Sequence, residues 1–273
     1  MIHIDPDRCK RDFICVMECP TRILEQNAKD QPPVLVRDGE SLCIRCGHCV
    51  AVCPHEAFSH RDIPQDQIQP IRQEHRISVE QATQFLKSRR SIRAYRKKPV
   101  EREALLQVLD VARFAPSGHN NQPVSWIVIY NTDEVRRMTD MVVDWMRQVQ
   151  QDNPAMAALW HFDRMLAGYA IGMDGICRHA PHLLIAHADK TDVTAPNACV
   201  IAAATAELAA SAMGLGVCWA GFFLTAAMFW PPLHEALGFP KGHLPYAALM
   251  VGYPKVVYHR IPPRKPLSVV WKT

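Results

Sequence analysis

CIRCGHCVAVCP, residues 43–54, sets four cysteines in the spacing C-x2-C-x2-C-x3-C, followed by proline. An earlier stretch, CKRDFICVMECP at 9–20, reads the same way with one change. Cys43 falls on Cys9, Cys49 on Cys15, Cys53 on Cys19 and Pro54 on Pro20, while Cys46 falls on Asp12. The chain therefore opens with an internal repeat. One of its eight corresponding positions carries a carboxylate in place of a thiol.

Working outward, 273 residues give room for one large domain or two unequal ones. Apolar residues make up 48%, enough for a sizeable core. The formal charge of +4 is too small to point to nucleic acid. Of ten cysteines, seven precede Pro54 in two tight groups, and the opening MIHIDPDRCK contains no apolar signal region. Reduced, metal-bound thiols in a cytoplasmic setting are expected rather than disulfides. From Ala198 to Trp230 the only charged residue is Glu207. That run is long enough for a membrane span, which needs about 20 apolar residues. Its alanine-rich first half, its two glycines and its internal carboxylate argue instead for a buried helix over 197–213. Asn197 would cap that helix and Gly214 would stop it, with a strand following over 217–223. No membrane association is expected.

The cysteine spacing narrows the metal. C-x2-C-x2-C-x3-C puts three thiolates on one short loop, whereas zinc sites draw their ligands from two separated knuckles. Thiolates are soft ligands suited to iron–sulfide. The two stretches resemble the bacterial two-cluster ferredoxins, in which the fourth cysteine of each motif ligates the other cluster, over about 55 residues. The resemblance implies a [4Fe–4S] cluster on Cys43, Cys46, Cys49 and Cys19. It implies a second cluster on Cys9, Cys15 and Cys53, with Asp12 facing the fourth corner. A carboxylate holds iron less firmly than a thiolate, so this second site is expected to hold a [4Fe–4S] or a [3Fe–4S] cluster. The plainer alternative makes Asp12 a surface residue beside a site that has lost its cluster.

Beyond this unit, taken as residues 1–64, the polar segment RDIPQDQIQPIRQEHR carries two prolines and reads as a linker, over 65–77. A second domain, 78–273, opens with a helix. Ser78 and Gln81 form a capping box, and Val79, Ala82, Phe85 and Leu86 share one face. A helix follows over 100–114. Strands are expected at 125–130, 182–188, 217–223 and 248–253, and helices at 133–150 and 197–213. The mixture predicts an α+β or α/β core.

Three motifs in this second domain carry chemistry. SRRSIRAY at 88–95 gathers Arg89, Arg90, Ser91 and Arg93 at a helix end, a donor set suited to phosphate. A charge run at a helix end is also a common solvated feature. APSGHNNQP at 115–123 forms a turn with amide side chains, and GLGVCWAGFF at 214–223 is followed by IPPRKPL at 261–267. Gly214-x-Gly216 is no dinucleotide fingerprint, because Trp219 stands where the third glycine belongs.

R-R-S-x-R, then A-P-S-x-x-N-x-Q-P starting 22 residues after Arg93, resembles the nitroreductase family of FMN-dependent oxidoreductases over 78–273. The resemblance implies an α+β sheet-and-helix fold built as an intertwined homodimer with FMN at its interface. It implies that Arg89 and Arg264 bind the FMN phosphate and that Arg90 and Ser91 contact the phosphate or ribityl chain. Arg93 would lie near the pyrimidine edge, where a cation stabilises the reduced ring. Pro116, Ser117, Gly118 and Asn120 would reach the flavin of the partner subunit. Ala220 and Gly221 would present backbone near N5. Ala220 stands where relatives often carry an acid, and Pro262-Pro263-Arg264 replaces a Lys-x-Arg of some members. Residues 131–181 align with nothing in the family pattern.

His179, His182 and His187 bracket a strand and are expected to be structural, Cys177, Cys199 and Cys218 to be buried, and His119 to be a proton-donor candidate. The resulting expectation is an oxidoreductase that passes electrons between iron–sulfur clusters and FMN. It would reduce a small nitroaromatic, quinone or activated alkene and exchange electrons with a low-potential protein partner. A non-catalytic electron carrier or redox sensor, and reverse flow from substrate to a ferredoxin, are the alternatives.

Overall fold

The computed structural model describes residues 2–272. Contacts group the chain into two units: one runs to Arg76 and includes His119–Asn121, and the other comprises Ile77–Gly118 and the chain from Gln122 onward.

In the first unit, β1 (Ile2–Ile4) pairs antiparallel with β4 (Phe58–His60), and β2 (Leu24–Glu25) with β3 (Val34–Leu35). Short helices α1 (Ile14–Glu18), α2 (Gly39–Leu42) and α3 (His48–Val52) complete it. The sequence repeat recurs in the backbone. Arg11, Phe13 and Arg22 have φ of 63°, 55° and 51°, and Arg45, Gly47 and Glu56, each 34 positions on, have 55°, 73° and 49°. Both α1 and α3 end on an extended cysteine, Cys19 or Cys53. Left-handed residues let each loop curl tightly, so backbone N–H groups face sulfur. Arg45 N donates to Cys43 Sγ and Ala57 N to Cys53 Sγ, each at 3.4 Å. A small core of Cys15, Ile23, Leu24 and Phe58 holds the halves together.

The second unit is built on one antiparallel sheet in the order β5-β6-β8-β7. The strands are β5 (Ser125–Ile129), β6 (His182–Asp189), β7 (Gly216–Trp219) and β8 (His243–Gly252). Alternation along the strands divides two cores. Leu183, Ile185, Ala248 and Met250 face one of them, and Leu184, Ala186, Ala247 and Leu249 the other. The helices are α4 (Val79–Ser88), α5 (Arg102–Ala112), α6 (Thr132–Asp152), α7 (Pro154–Leu159), α8 (Phe162–Ala170), α9 (Ala195–Ala212), α10 (Gly221–Phe229) and α11 (Pro231–Leu237). Helices α5 and α9 cover the face that carries Leu184, while α6 and α10 cover the face that carries Met250.

Several expectations need correction. The strand expected over 217–223 ends at Trp219, and Gly221 starts α10. Helix α9 begins at Ala195 after Thr194 rather than at Asn197, with Pro196 in its first turn. Strand β8 reaches back to His243 through Pro245, which the sheet tolerates because the register shifts at Ala186/His187. Ser78 and Gln81 do form the capping box of α4. Part of its apolar face is nevertheless open in the single chain, with Val79 77% and Leu86 55% exposed while Ala82 and Phe85 are half-buried. The chain from Lys255 to Lys272 is exposed and has no regular structure. No helix among the described residues is long and apolar enough to cross a membrane.

Candidate functional site

The cysteine loops bring their side chains together across the repeat. Burial pushes the Cys49 thiol up to about 11, and the neighbouring charges of Cys46, Cys43 and Cys19 add to the effect. Cys19 comes from the first motif and the other three from the second. Burial likewise pushes Cys15 up to about 11, with Asp12 and Cys53 as neighbours that oppose its ionisation. Asp12 turns inward at one oxygen, accepting from Ile14 N at 3.3 Å, and its other oxygen lies 3.7 Å from His55 Nε2. All ten cysteines are free. Among the described residues no three His, Cys, Asp or Glu side chains are grouped tightly enough for a single metal ion. Cys49 with Cys19, Cys43 and Cys46, and Cys15 with Cys53, thus bring soft sulfur donors of both motifs near one another.

In the second unit the basic segment after α4 is pinned beside β7, with Ile92 N donating to Val217 O at 2.9 Å. Gly216 is required there, because a Cβ would lie 2.7 Å from Ile92 Cγ2. Arg89 is held by Glu207: the guanidinium donates to Oε1 at 2.8 Å, and Trp219 Nε1 donates to Oε2 at 3.0 Å. The sequence had marked Glu207 only as the lone charge in an apolar run, and its partners explain its burial. Arg90 lies 5.9 Å from the Tyr258 ring centroid. Ser91 is within hydrogen-bonding reach of the Cys218 thiol.

Arg93 and Gly221 share a cleft of about 430 Å³, with Trp160, Arg178, Cys218, Trp219 and Phe222 in its lining. Gly221 has nothing within 4 Å of the position a Cβ would take, and it starts α10, whose leading N–H groups have no acceptor within the helix. A flat ring with a polar edge fits an open backbone of this kind facing a cation. Ala220 precedes Gly221 in the chain. It is buried and its N–H donates to Ala248 O at 2.8 Å, so that group is engaged by the sheet.

Pro116 and Ser117 line a separate cleft of about 550 Å³, beside Leu109, Trp126 and Ala198. Gly118 packs on Thr194, where a Cβ would approach within 2.6 Å. Asn120 is engaged within the chain. Its Nδ2 donates to Ile44 O and Arg45 O, both at 3.1 Å, and it groups with the first unit. Arg264 lies in the exposed C-terminal stretch.

Residues 86–253 match the nitroreductase family. The chain belongs to this family. Residues 7–58 match a 4Fe-4S dicluster domain, so a nitroreductase-family domain and a cluster domain occupy one chain. A 5,6-dimethylbenzimidazole synthase of Rhodospirillum rubrum is 31% identical over 179 residues, 61% of this chain and 79% of its own length. A Cr(VI) reductase of a Pseudomonas species is 25% identical over 189 residues, 68% of this chain and 72% of its own. The crystal structure of an FMN-bound nitroreductase from Bacteroides fragilis superposes with a TM-score of 0.57 at 22% identity, covering 69% of this chain and 97% of that one. The α+β sheet-and-helix fold of the nitroreductases is thus present behind the cluster domain.

Within this nitroreductase domain His182 is structural, whereas His179 lies at the surface with a 65% exposed side chain. His182 Nδ1 donates to Tyr130 O at 2.7 Å and its Nε2 accepts from Val100 N at 2.8 Å, while its ring stacks on Tyr130. Burial lowers its pKa. Cys177 and Cys199 are buried and pushed up to about 12 by desolvation, as expected of inert thiols. The sequence missed the contribution of 160–179 to the cleft. Its residue types gave no family motif, although three of its non-glycine residues, His161, Arg178 and His179, adopt positive φ.

Proposed function

We propose that this chain is an FMN-dependent oxidoreductase linking iron–sulfur clusters to reduction of a small organic acceptor of the nitroaromatic, quinone or activated-alkene class. The observation that carries this reading is the meeting of Cys49 with Cys19, Cys43 and Cys46, a set drawn from both motifs, in a nitroreductase-family chain. Cys43, Cys46, Cys49 and Cys19 would hold one [4Fe–4S] cluster. Cys9, Cys15 and Cys53, with Asp12 at the fourth corner, would hold a [4Fe–4S] or [3Fe–4S] cluster. Iron–sulfur clusters exchange single electrons, here with a low-potential protein partner. FMN, when bound, stores two electrons for the acceptor.

The protein's own groups then have defined tasks. Arg93 would offset negative charge at the ring's pyrimidine edge, and Gly221 N–H would point to its reactive side. Arg89 retains donors beyond the one used by Glu207, since guanidinium has five. With Arg90, Ser91 and Arg264 it would bind the phosphate. Pro116, Ser117 and Gly118 would serve the flavin of a second copy in a homodimer. The open part of the α4 face and the exposed Leu267, Val270 and Trp271 support such a pairing. Ten free cysteines suit a reducing, cytoplasmic setting. The domains proposed are a cluster domain over 1–64, a linker over 65–77 and a flavin domain over 78–273.

Stopped-flow reduction of the holoprotein tests this reading. Cys46→Ser damages one cluster and leaves the flavin domain intact. Reduced ferredoxin should then reduce FMN slowly, while dithionite reduces it as in wild type. Equal rates with ferredoxin would mean that electrons bypass the clusters.

A further inference from the structure

We propose that the acceptor carries an anionic group on a flat ring, and that Arg164 and Arg178 bind that group. The inference deepens the reductase reading and rests on it for the identity of the cleft. The cleft containing Arg93 and Gly221 shares Arg93, Trp160, His161 and Arg178 with an adjoining space of about 750 Å³, which adds Arg164 and His179. Three arginines and one carboxylate, Asp174, line that space, an excess of two positive charges with the histidines neutral.

Asp174 bonds to backbone rather than to an arginine. Its side chain is 6% exposed. Oδ1 accepts from Ile176 N and Cys177 N and Oδ2 from His179 N, all at 2.8 Å. The acid thus holds the loop 174–179 in shape, including the left-handed Arg178 and His179 at φ 59° and 51°. Arg93 makes only a 3.5 Å contact to Ser91 O. Among the described residues the side chains of Arg164 and Arg178 make no hydrogen bond and no ion pair, and Arg178 is half-buried.

A half-buried guanidinium without a counter-ion is costly unless a ligand supplies one. Planar, bidentate donors match carboxylate or phosphate. Under the reductase reading Arg93 serves the flavin, which leaves Arg164 and Arg178 for the acceptor. Trp160 lines both spaces, and Phe222, its ring centroid 6.5 Å away, lines the adjoining cleft, so the two rings give a flat ligand an apolar wall beside the arginines. Neutral acceptors of equal shape should therefore bind less well.

The test uses the FMN-loaded full chain with two matched pairs: benzoate and benzamide as inert ligands, 4-nitrobenzoate and 4-nitrobenzamide as acceptors. Dissociation constants are read from tryptophan fluorescence and calorimetry, and KM from turnover. The carboxylate should be preferred about tenfold in both pairs. That preference should shrink between about 20 mM and 500 mM salt and collapse toward unity in Arg164→Gln and Arg178→Gln. Arg178→Lys, which keeps the charge, should retain part of it, so the proposal is tested even where the Gln variant loads FMN poorly. Equal binding of benzoate and benzamide by wild type would overturn the proposal. So would variants that weaken only the binding of a nicotinamide dinucleotide phosphate, since the arginines would then serve a reductant. Equal reduction of both nitro compounds would sink this inference and leave the reductase reading standing. Tight benzoate binding with neither nitro compound reduced would do the reverse.

Discussion

Removing Arg89 should destabilise the second unit by about 3 kcal/mol. The Glu207 carboxylate is 9% exposed, and without Arg89 its named partner is the Trp219 indole N–H. Breaking a fully buried ion pair by deleting one member costs roughly 3–5 kcal/mol. Arg89 is 24% exposed, so water enters more readily once it is gone, and the lower end of that range applies. Glu207→Gln keeps the shape and an acceptor oxygen but loses the charge-assisted component, about 1.5 kcal/mol. The double variant should cost less than the sum of the singles, because each single removes the same interaction. Urea unfolding followed by tryptophan fluorescence measures all four corners of the cycle, first without FMN and then at a fixed excess. If Arg89 also binds the FMN phosphate, Arg89→Ala loses further stability when ligand is present, by reduced linkage. Glu207→Gln should lose much the same amount in both conditions. An Arg89→Ala variant within about 0.5 kcal/mol of wild type, the range of ordinary surface changes, would refute the reasoning.

Three other outcomes are expected. Burial holds the His182 pKa below its ordinary value, so protons bind the unfolded chain more readily. The stability this neutral histidine contributes is full above pH about 6.5 and is lost as pH falls below it, and His182→Leu should flatten that fall in a pH series of unfolding curves. Asp12→Cys should stop mild oxidation from producing a three-iron signal in electron paramagnetic resonance, and identical iron loss in both proteins would remove Asp12 from the cluster. Arg93→Ala should lower the FMN potential by about 30–65 mV, the equivalent of a charge-assisted contact of about 1.5–3 kcal/mol, and potentiometry would expose an unchanged value.

The parts legible in the sequence were those where chemistry fixes spacing. Sulfur ligands tolerate no slip along the chain, so the 9–20 and 43–54 repeat predicted a pseudo-symmetry that the backbone repeats at Arg11 and Arg45. Ser78 and Gln81 likewise announced the start of α4 through a local reciprocal bond. What failed was periodicity in runs that are apolar on every side. FFLTAAMF reads equally as strand or helix, and the chain resolves it by leaving the sheet after Trp219. Pro245 hid the first half of β8, since only a register shift makes proline acceptable there. The shared apolar face of α4 was legible, yet the single chain leaves its Val79 and Leu86 exposed, because amphipathicity identifies a face to be covered and not its cover. The cleft lining over 160–179 escaped because its shape comes from backbone curvature, with no motif to mark it.

Two buried acids, Glu207 and Asp174, divide the arginines of this domain by the way each carboxylate is used. Glu207 bonds directly to a guanidinium, so Arg89 is fixed in orientation and its charge is partly neutralised. Asp174 bonds to three backbone N–H groups and shapes the loop that carries Arg178. The first arrangement suits a positioned donor, and the second suits an open one. Under the proposed reading an incoming anion would meet Arg164 and Arg178, whose side chains have no hydrogen-bond or ion-pair partner among the described residues. On that reading Glu207 orients Arg89 for the FMN phosphate, while Asp174, spent on backbone, leaves the Arg178 guanidinium open to the acceptor's anionic group.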